Sequence, residues 1–79
     1  MIEDGQRLSL RVADRIQELR HEQGKSLDAL AEATGLHATS IGLIVRGKRG
    51  MTLATATALS AALGVKLSDV IAHAEGRRS

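Results

Sequence analysis

The residues best equipped for chemistry form one short cluster, Arg46-Gly47-Lys48-Arg49-Gly50. Three cations and two glycines, whose backbone N–H groups stay open to close approach, suit the oxygens of a phosphate backbone. Each phosphate neutralised releases counterions, so such contacts give affinity regardless of base sequence. The same charges also fit a solvated loop, or caps for the carbonyls of a preceding helix. No other constellation offers chemistry. His21, His37 and His73 stand on separate segments, with no carboxylate at ligand spacing beside a second histidine, so neither a metal site nor a catalytic one is expected. The chain has no cysteine, no glycine-rich phosphate loop and no Ser-His-Asp arrangement. It is expected not to be an enzyme, and nothing implies a cofactor.

Composition narrows the classes further. The 79 residues fit a single domain over 1–79, with an ordered core expected at about 9–75. Eleven Lys and Arg against nine Asp and Glu give a net charge of +2, too modest to argue for a polyanionic partner unaided. The complete absence of Phe, Tyr and Trp speaks against single-strand binding and most sequence-specific RNA recognition, where bases stack on aromatic rings. A core must be built from Leu, Ile, Val and Ala. A chain of this size buries only ~60 % of its unfolded surface, so a second copy is a reasonable source of added stability. No apolar run approaches the ~20 residues of a bilayer span, and Met1-Ile2-Glu3-Asp4 is unlike a basic-then-apolar leader, which predicts a cytosolic protein without a membrane partner.

The elements that must position the basic cluster follow from glycine punctuation and apolar spacing. A first helix is expected from about Leu10 to His21, with Ser9 as N-cap and Val12, Ile16 and Leu19 on one stripe. Arg11, Arg15 and Arg20 alternate with Asp14, Glu18 and Glu22 on its outer faces. The second runs from Leu27 to Thr34 behind Ser26, and Gly35 stops it. The third spans about Ala38 to Arg46 with His37 near its N-cap and Ile41 and Ile44 inward. Only Gly35-Leu36-His37 separates these two, which forces a sharp turn between packed helices. The fourth begins at the N-cap Thr52 and ends at Leu63, with Leu53, Ala56, Leu59 and Leu63 inward. It carries no charge, which suits a central helix buried on most sides; alternatively Ala54, Ala58, Ala61 and Ala62 meet a partner chain. The fifth is expected at Asp69 to about Glu75, capped by Ser68. The head Met1 to Arg7 and the tail Gly76 to Ser79 are expected to fray. With no strand pattern or internal repeat, the reading is an all-α domain of five helices.

Several short motifs run in a fixed order along this frame. They are Leu30-Ala31 followed by Gly35-Leu36, then Ile41 and Ile44, Arg46-Gly47-Lys48-Arg49, and Leu63-Gly64-Val65 with Leu67, Asp69 and Val70. Together they resemble the xenobiotic-response-element (Cro/C1-type) helix-turn-helix regulators over about residues 9 to 73. The chain is also similar in length to restriction–modification controller proteins and small phage repressors. The resemblance implies a five-helix, lambda-repressor-like fold that binds double-stranded operator DNA as a homodimer, with the third helix in the major groove. It implies a repressor or autoregulator, associated with the nucleoid when on DNA. The alternative, on the same fold, is a protein-interaction module such as an antitoxin or a regulator antagonist.

The resemblance assigns base-facing positions to His37, Ala38, Thr39, Ser40 and Leu43, and phosphate contacts to Ser26, Arg46, Lys48 and Arg49. A dimer contact is implied for Leu67, Val70, Ile71 and Ala74. Leu27, Leu43 and Val45 depart from the family by placing apolar side chains where polar ones are common, and Gly42 takes a side chain off the groove face. An interaction module would use Leu27, Leu43 and Val45 as its docking patch. From Ser26 to Val45 the only charges are Asp28 and Glu32, so attraction to DNA falls to Arg46, Lys48 and Arg49, with Arg11, Arg15 or Lys25 as candidates at the flanks.

Overall fold

The computed structural model describes residues 2–76, with side chains from residue 4 onward, and places five α-helices and no strand among them. They are α1 (Ile2–Glu22), α2 (Leu27–Thr34), α3 (Ala38–Val45), α4 (Leu53–Ala62) and α5 (Leu67–Ala74). The all-α, five-helix reading is therefore the observed architecture.

The helices pack in a closed cycle: α1 lies against α3 and α5, α2 against α3 and α4, and α4 against α5. Each contributes one side chain to the centre. Ile16, Leu30, Ile41, Leu59 and Val70, one from each helix, are all at most 2 % exposed. Aliphatic residues fill this centre, with Ser60 the one buried polar side chain among the described residues, and half-buried Leu8, Leu27, Leu36, Met51, Val65, Leu67 and Ile71 close its rim.

Local chemistry explains most boundaries. Ser26 Oγ accepts from the Ala29 N–H at 3.0 Å and Thr52 Oγ1 from the Thr55 N–H at 3.0 Å, the N-caps expected for α2 and α4. Gly35, at φ +77°, donates its N–H to Ala31 O at 2.8 Å and turns the chain into α3. Thr34 tightens that turn: its hydroxyl donates to Leu30 O at 2.7 Å and accepts from the Leu36 N–H at 3.2 Å. The loop before α2 is tied across the molecule, where Gln23 Nε2 donates to Leu63 O at 2.8 Å and Lys25 Nζ to Ala62 O at 2.7 Å. These two side chains satisfy carbonyls that the end of α4 leaves open.

Four expectations are corrected. Helix α1 does not start behind Ser9; it extends back to Ile2, so residues 2–7 are helical rather than frayed. Leu8 prolongs the Val12–Ile16 stripe by one turn and packs on the core, which carries the helix past Ser9. Helix α5 starts earlier than Ser68, with Lys66 at the N-cap and no side-chain cap bond, because Leu67 is drawn onto the core. Leu53 is not inward but 75 % exposed. Helix α4 buries a single stripe of Ala56, Leu59, Ser60 and Leu63 and leaves Ala54, Thr57 and Ala61 exposed, since no further element covers its outer side. Met1 and residues 77–79 lie outside the described residues.

Candidate nucleic-acid interface

The third helix presents a face whose composition is set by which residues the core removes. Ile41, Ile44 and Val45 turn inward at 0 %, 5 % and 5 % exposure. Steps of 100° per residue then leave Thr39 and Leu43, one turn apart, near the centre of the opposite side. Thr39 is exposed and Leu43 half-buried, while Ala38 and Ser40 are half-buried beside them. His37 is exposed at the N-cap and makes no side-chain cap bond. The five positions expected to face bases thus share the N-terminal two turns of α3.

Gly42 does not lie where expected. It is buried against α2, and a Cβ built there would sit 3.3 Å from Leu27 Cδ1. Its missing side chain admits Leu27 and takes nothing off the groove face. Val45 is likewise a core residue. The apolar docking patch of Leu27, Leu43 and Val45 is therefore not an open surface, because the core holds Val45 and α3 covers part of Leu27.

The basic loop grows out of the end of α3. Gly47, at φ +73°, donates its N–H to Ile44 O at 3.0 Å, and the Lys48 N–H reaches Leu43 O at 2.8 Å. This is a Schellman closure, in which backbone groups alone satisfy the last carbonyls. The side chains of Arg46, Lys48 and Arg49 are not needed as caps. All three residues are exposed, and no acidic side chain pairs with them among the described residues. Underneath, Leu10 Cδ2 lies 2.8 Å from where a Gly47 Cβ would be, so the loop rests on α1; the exposed Leu10 can swing aside, and it is the left-handed backbone at φ +73° that favours glycine here.

Arg49 is held further in. Its Nη1 donates to Ser40 Oγ at 3.1 Å, which fixes the guanidinium at one edge of α3. Arg46 lies toward the other edge, with Nη2 3.9 Å from a Cβ placed on Gly42. Ser26, exposed at the start of α2, accepts the Ala29 N–H and keeps its own hydroxyl proton to donate.

The flanking cations divide differently from the sequence reading. Arg15 is paired with Glu18 at 3.3 Å and Glu22 at 3.7 Å, and Lys25 is committed to Ala62 O. Arg11 lines clefts with Glu75, His73 and Ala74 on the α1–α5 side. None of the three joins the loop cluster. Arg20 was legible only as part of a solvated charged stripe; instead it donates to Gln17 Oε1 and to Lys25 O, both at 2.9 Å. It lines a cleft with Thr39, Gly42 and Arg46, next to the exposed face of α3. Nothing in its spacing signals this, because the cleft arises from α1 packing across α3.

Of the residues expected at a dimer contact, Val70 and Ala74 are 2 % and 9 % exposed within the protomer's own core. Leu67 and Ile71 remain half-buried, and both line an apolar cleft with Leu8, Met51 and Leu53. Among the described residues there is no group of three or more potential metal ligands, and no single helix is long and apolar enough to cross a membrane.

A family model described as helix-turn-helix matches residues 16–70. That span takes in the last part of α1, the α2–α3 pair, the basic loop, all of α4 and the start of α5 as far as Val70. No curated protein matches the chain.

Proposed function

This chain belongs to the Cro/C1-type helix-turn-helix family of DNA-binding transcription regulators, and from that premise we propose that it binds operator DNA as a homodimer and acts as a repressor or autoregulator. Helix α3 enters the major groove with Thr39 and Leu43 foremost, and the loop Arg46 to Arg49 rests on the phosphate backbone. Regulation is by occupancy, without chemistry on the DNA.

One observation carries the reading. The cations of the loop are exposed, without acidic partners among the described residues and released from capping, on the loop that the groove-facing helix runs into. Phosphate contacts then fix register and supply salt-dependent affinity, while α3 supplies discrimination. Ser26 adds a hydroxyl donor at the start of α2, where the helix dipole also favours a phosphate.

For the homodimer, Leu67 and Ile71 are the supporting residues, joined by Leu53, which is 75 % exposed. A two-fold pair of such protomers places its α3 helices on half-sites about one helical turn, ~34 Å, apart.

The test is a fluorescence-anisotropy titration at physiological salt against two duplexes, the DNA directly upstream of the chain's own gene and a shuffled version of it. Binding ~10³-fold or more tighter to the native duplex is expected of an operator. Equal, weak binding to both would leave only the phosphate clamp and would turn attention to a protein partner.

A further inference from the structure

We propose that the reading face of α3 recognises the C5-methyl groups of thymine, so that the DNA this protein selects is defined by methyls in the major groove rather than by guanine or adenine hydrogen-bonding edges. The inference rests on the DNA-binding reading above and names the feature of the DNA that the same site takes.

The face lacks the side chains that read purine edges. Guanine is read through O6 and N7 by a bidentate Arg or Lys, and adenine through N6 and N7 by Asn or Gln. From His37 to Val45 there is no residue of these four types; His37, exposed at the N-cap, is the one ring able to hydrogen-bond and stands at the end of the face rather than at its centre. Ser40, one of the two hydroxyls, is half-buried at the edge of the face and accepts from Arg49 Nη1 at 3.1 Å, which leaves it one short-reach O–H to donate. Gly42 contributes no side chain and is covered by Leu27. What the centre of the face offers is exposed Thr39, which carries a methyl and a hydroxyl, and half-buried Leu43, with half-buried Ala38 beside them.

The thymine methyl is the apolar mark in the major groove of ordinary B-DNA, and Ala, Thr methyl and similar groups are its complements. The two guanidiniums nearest this stripe stand at its margins. Arg49 is bound to Ser40, and Arg46 lies toward Gly42; residues 40 and 42 fall on opposite sides of the line through Thr39 and Leu43. A cationic margin on each side of an apolar centre matches a groove whose walls are phosphate and whose floor carries methyls.

Burying one methyl is worth about fourfold in affinity. With at least one such contact in each of two half-sites, replacement of thymine by uracil in an otherwise identical duplex should weaken binding by about tenfold or more.

The experiment selects duplexes from a random-sequence library with the full chain, then synthesises the enriched sequence in thymine and in uracil form. The expected result is enrichment of A·T pairs at the centre of each half-site and a loss of about tenfold or more on uracil substitution, with the salt dependence unchanged. Thr39→Ser, which removes a methyl and keeps the hydroxyl, should shrink the preference for thymine over uracil, as should Leu43→Ala. If Leu43→Ala fails to fold, the exposed Thr39→Ser still decides. Equal affinity for the two forms, or enrichment of guanine-centred sites read by Arg46 or Arg49, would overturn methyl readout while leaving DNA binding intact. Absence of enrichment together with no binding to any duplex would overturn both.

Discussion

Leu27 Cδ1 lies 3.3 Å from the position a Gly42 Cβ would occupy, so α2 and α3 meet where one side chain is missing and its neighbour has moved over the gap. A glycine inside a helix costs about 1 kcal/mol relative to alanine, and here that cost permits the close approach of the helix pair. Gly42→Ala should stabilise the domain by less than this amount, since Leu27 must shift by a few tenths of an ångström. In a Leu27→Ala background the same change should recover the full ~1 kcal/mol. Urea midpoints of the four proteins measure the coupling, and equal gains in both backgrounds would contradict the packing.

Ser60 is 1 % exposed and its Oγ finds no hydrogen-bond partner among the described residues. An unpaired buried hydroxyl is destabilising by ~1–3 kcal/mol, and alanine is also the better helix former. Ser60→Ala should therefore raise the urea midpoint by an amount equivalent to about 1 kcal/mol or more. A lowered midpoint would mean that the hydroxyl is paired in solution.

Much of this arrangement was legible in the sequence, for local reasons. The α2–α3 turn follows from Ser26, Gly35 and the short connection between them, all of which act within a few residues. The α4 start was legible in Thr52 for the same reason. Long-range packing was not. Residues 2–9 join α1 because Leu8 reaches the core, and α5 begins at Leu67 instead of behind Ser68 for a similar cause. Gly42 and Val45 have the same character: whether they face a groove or a neighbouring helix depends on how α2 crosses α3. Lys25 looked like a free cation, and only the fold brings Ala62 O, 37 positions along the chain, to its ammonium group.

Arg49 and Thr39 should behave as different kinds of residue. Arg49→Ala is expected to weaken binding to every duplex and to reduce the slope of log affinity against log salt by about 1. Thr39→Ala should leave that slope alone and change which sequence is preferred. Titrations at several salt concentrations separate the two, and an unchanged slope for Arg49→Ala would remove this residue from the phosphate contacts.

Among the described residues Leu53 is the most exposed large apolar side chain, and it shares its cleft with Leu67 and Ile71. On the proposed homodimer, Leu53→Glu should convert dimer to monomer in sedimentation equilibrium while helical circular dichroism stays intact. Operator affinity should fall with it, since two half-sites are no longer engaged together. A variant that remains dimeric would move the contact to another face.

The central claim is that α3 and the loop behind it are the surface that meets DNA. Backbone amide shifts of the ¹⁵N-labelled protein, followed as operator duplex is added, test it most directly. The largest changes are expected at Ser26, at His37 to Leu43 and at Arg46 to Gly50, with α4 and the outer turns of α1 nearly unmoved. Changes centred on Leu53, Leu67 and Ile71, with α3 silent, would contradict it.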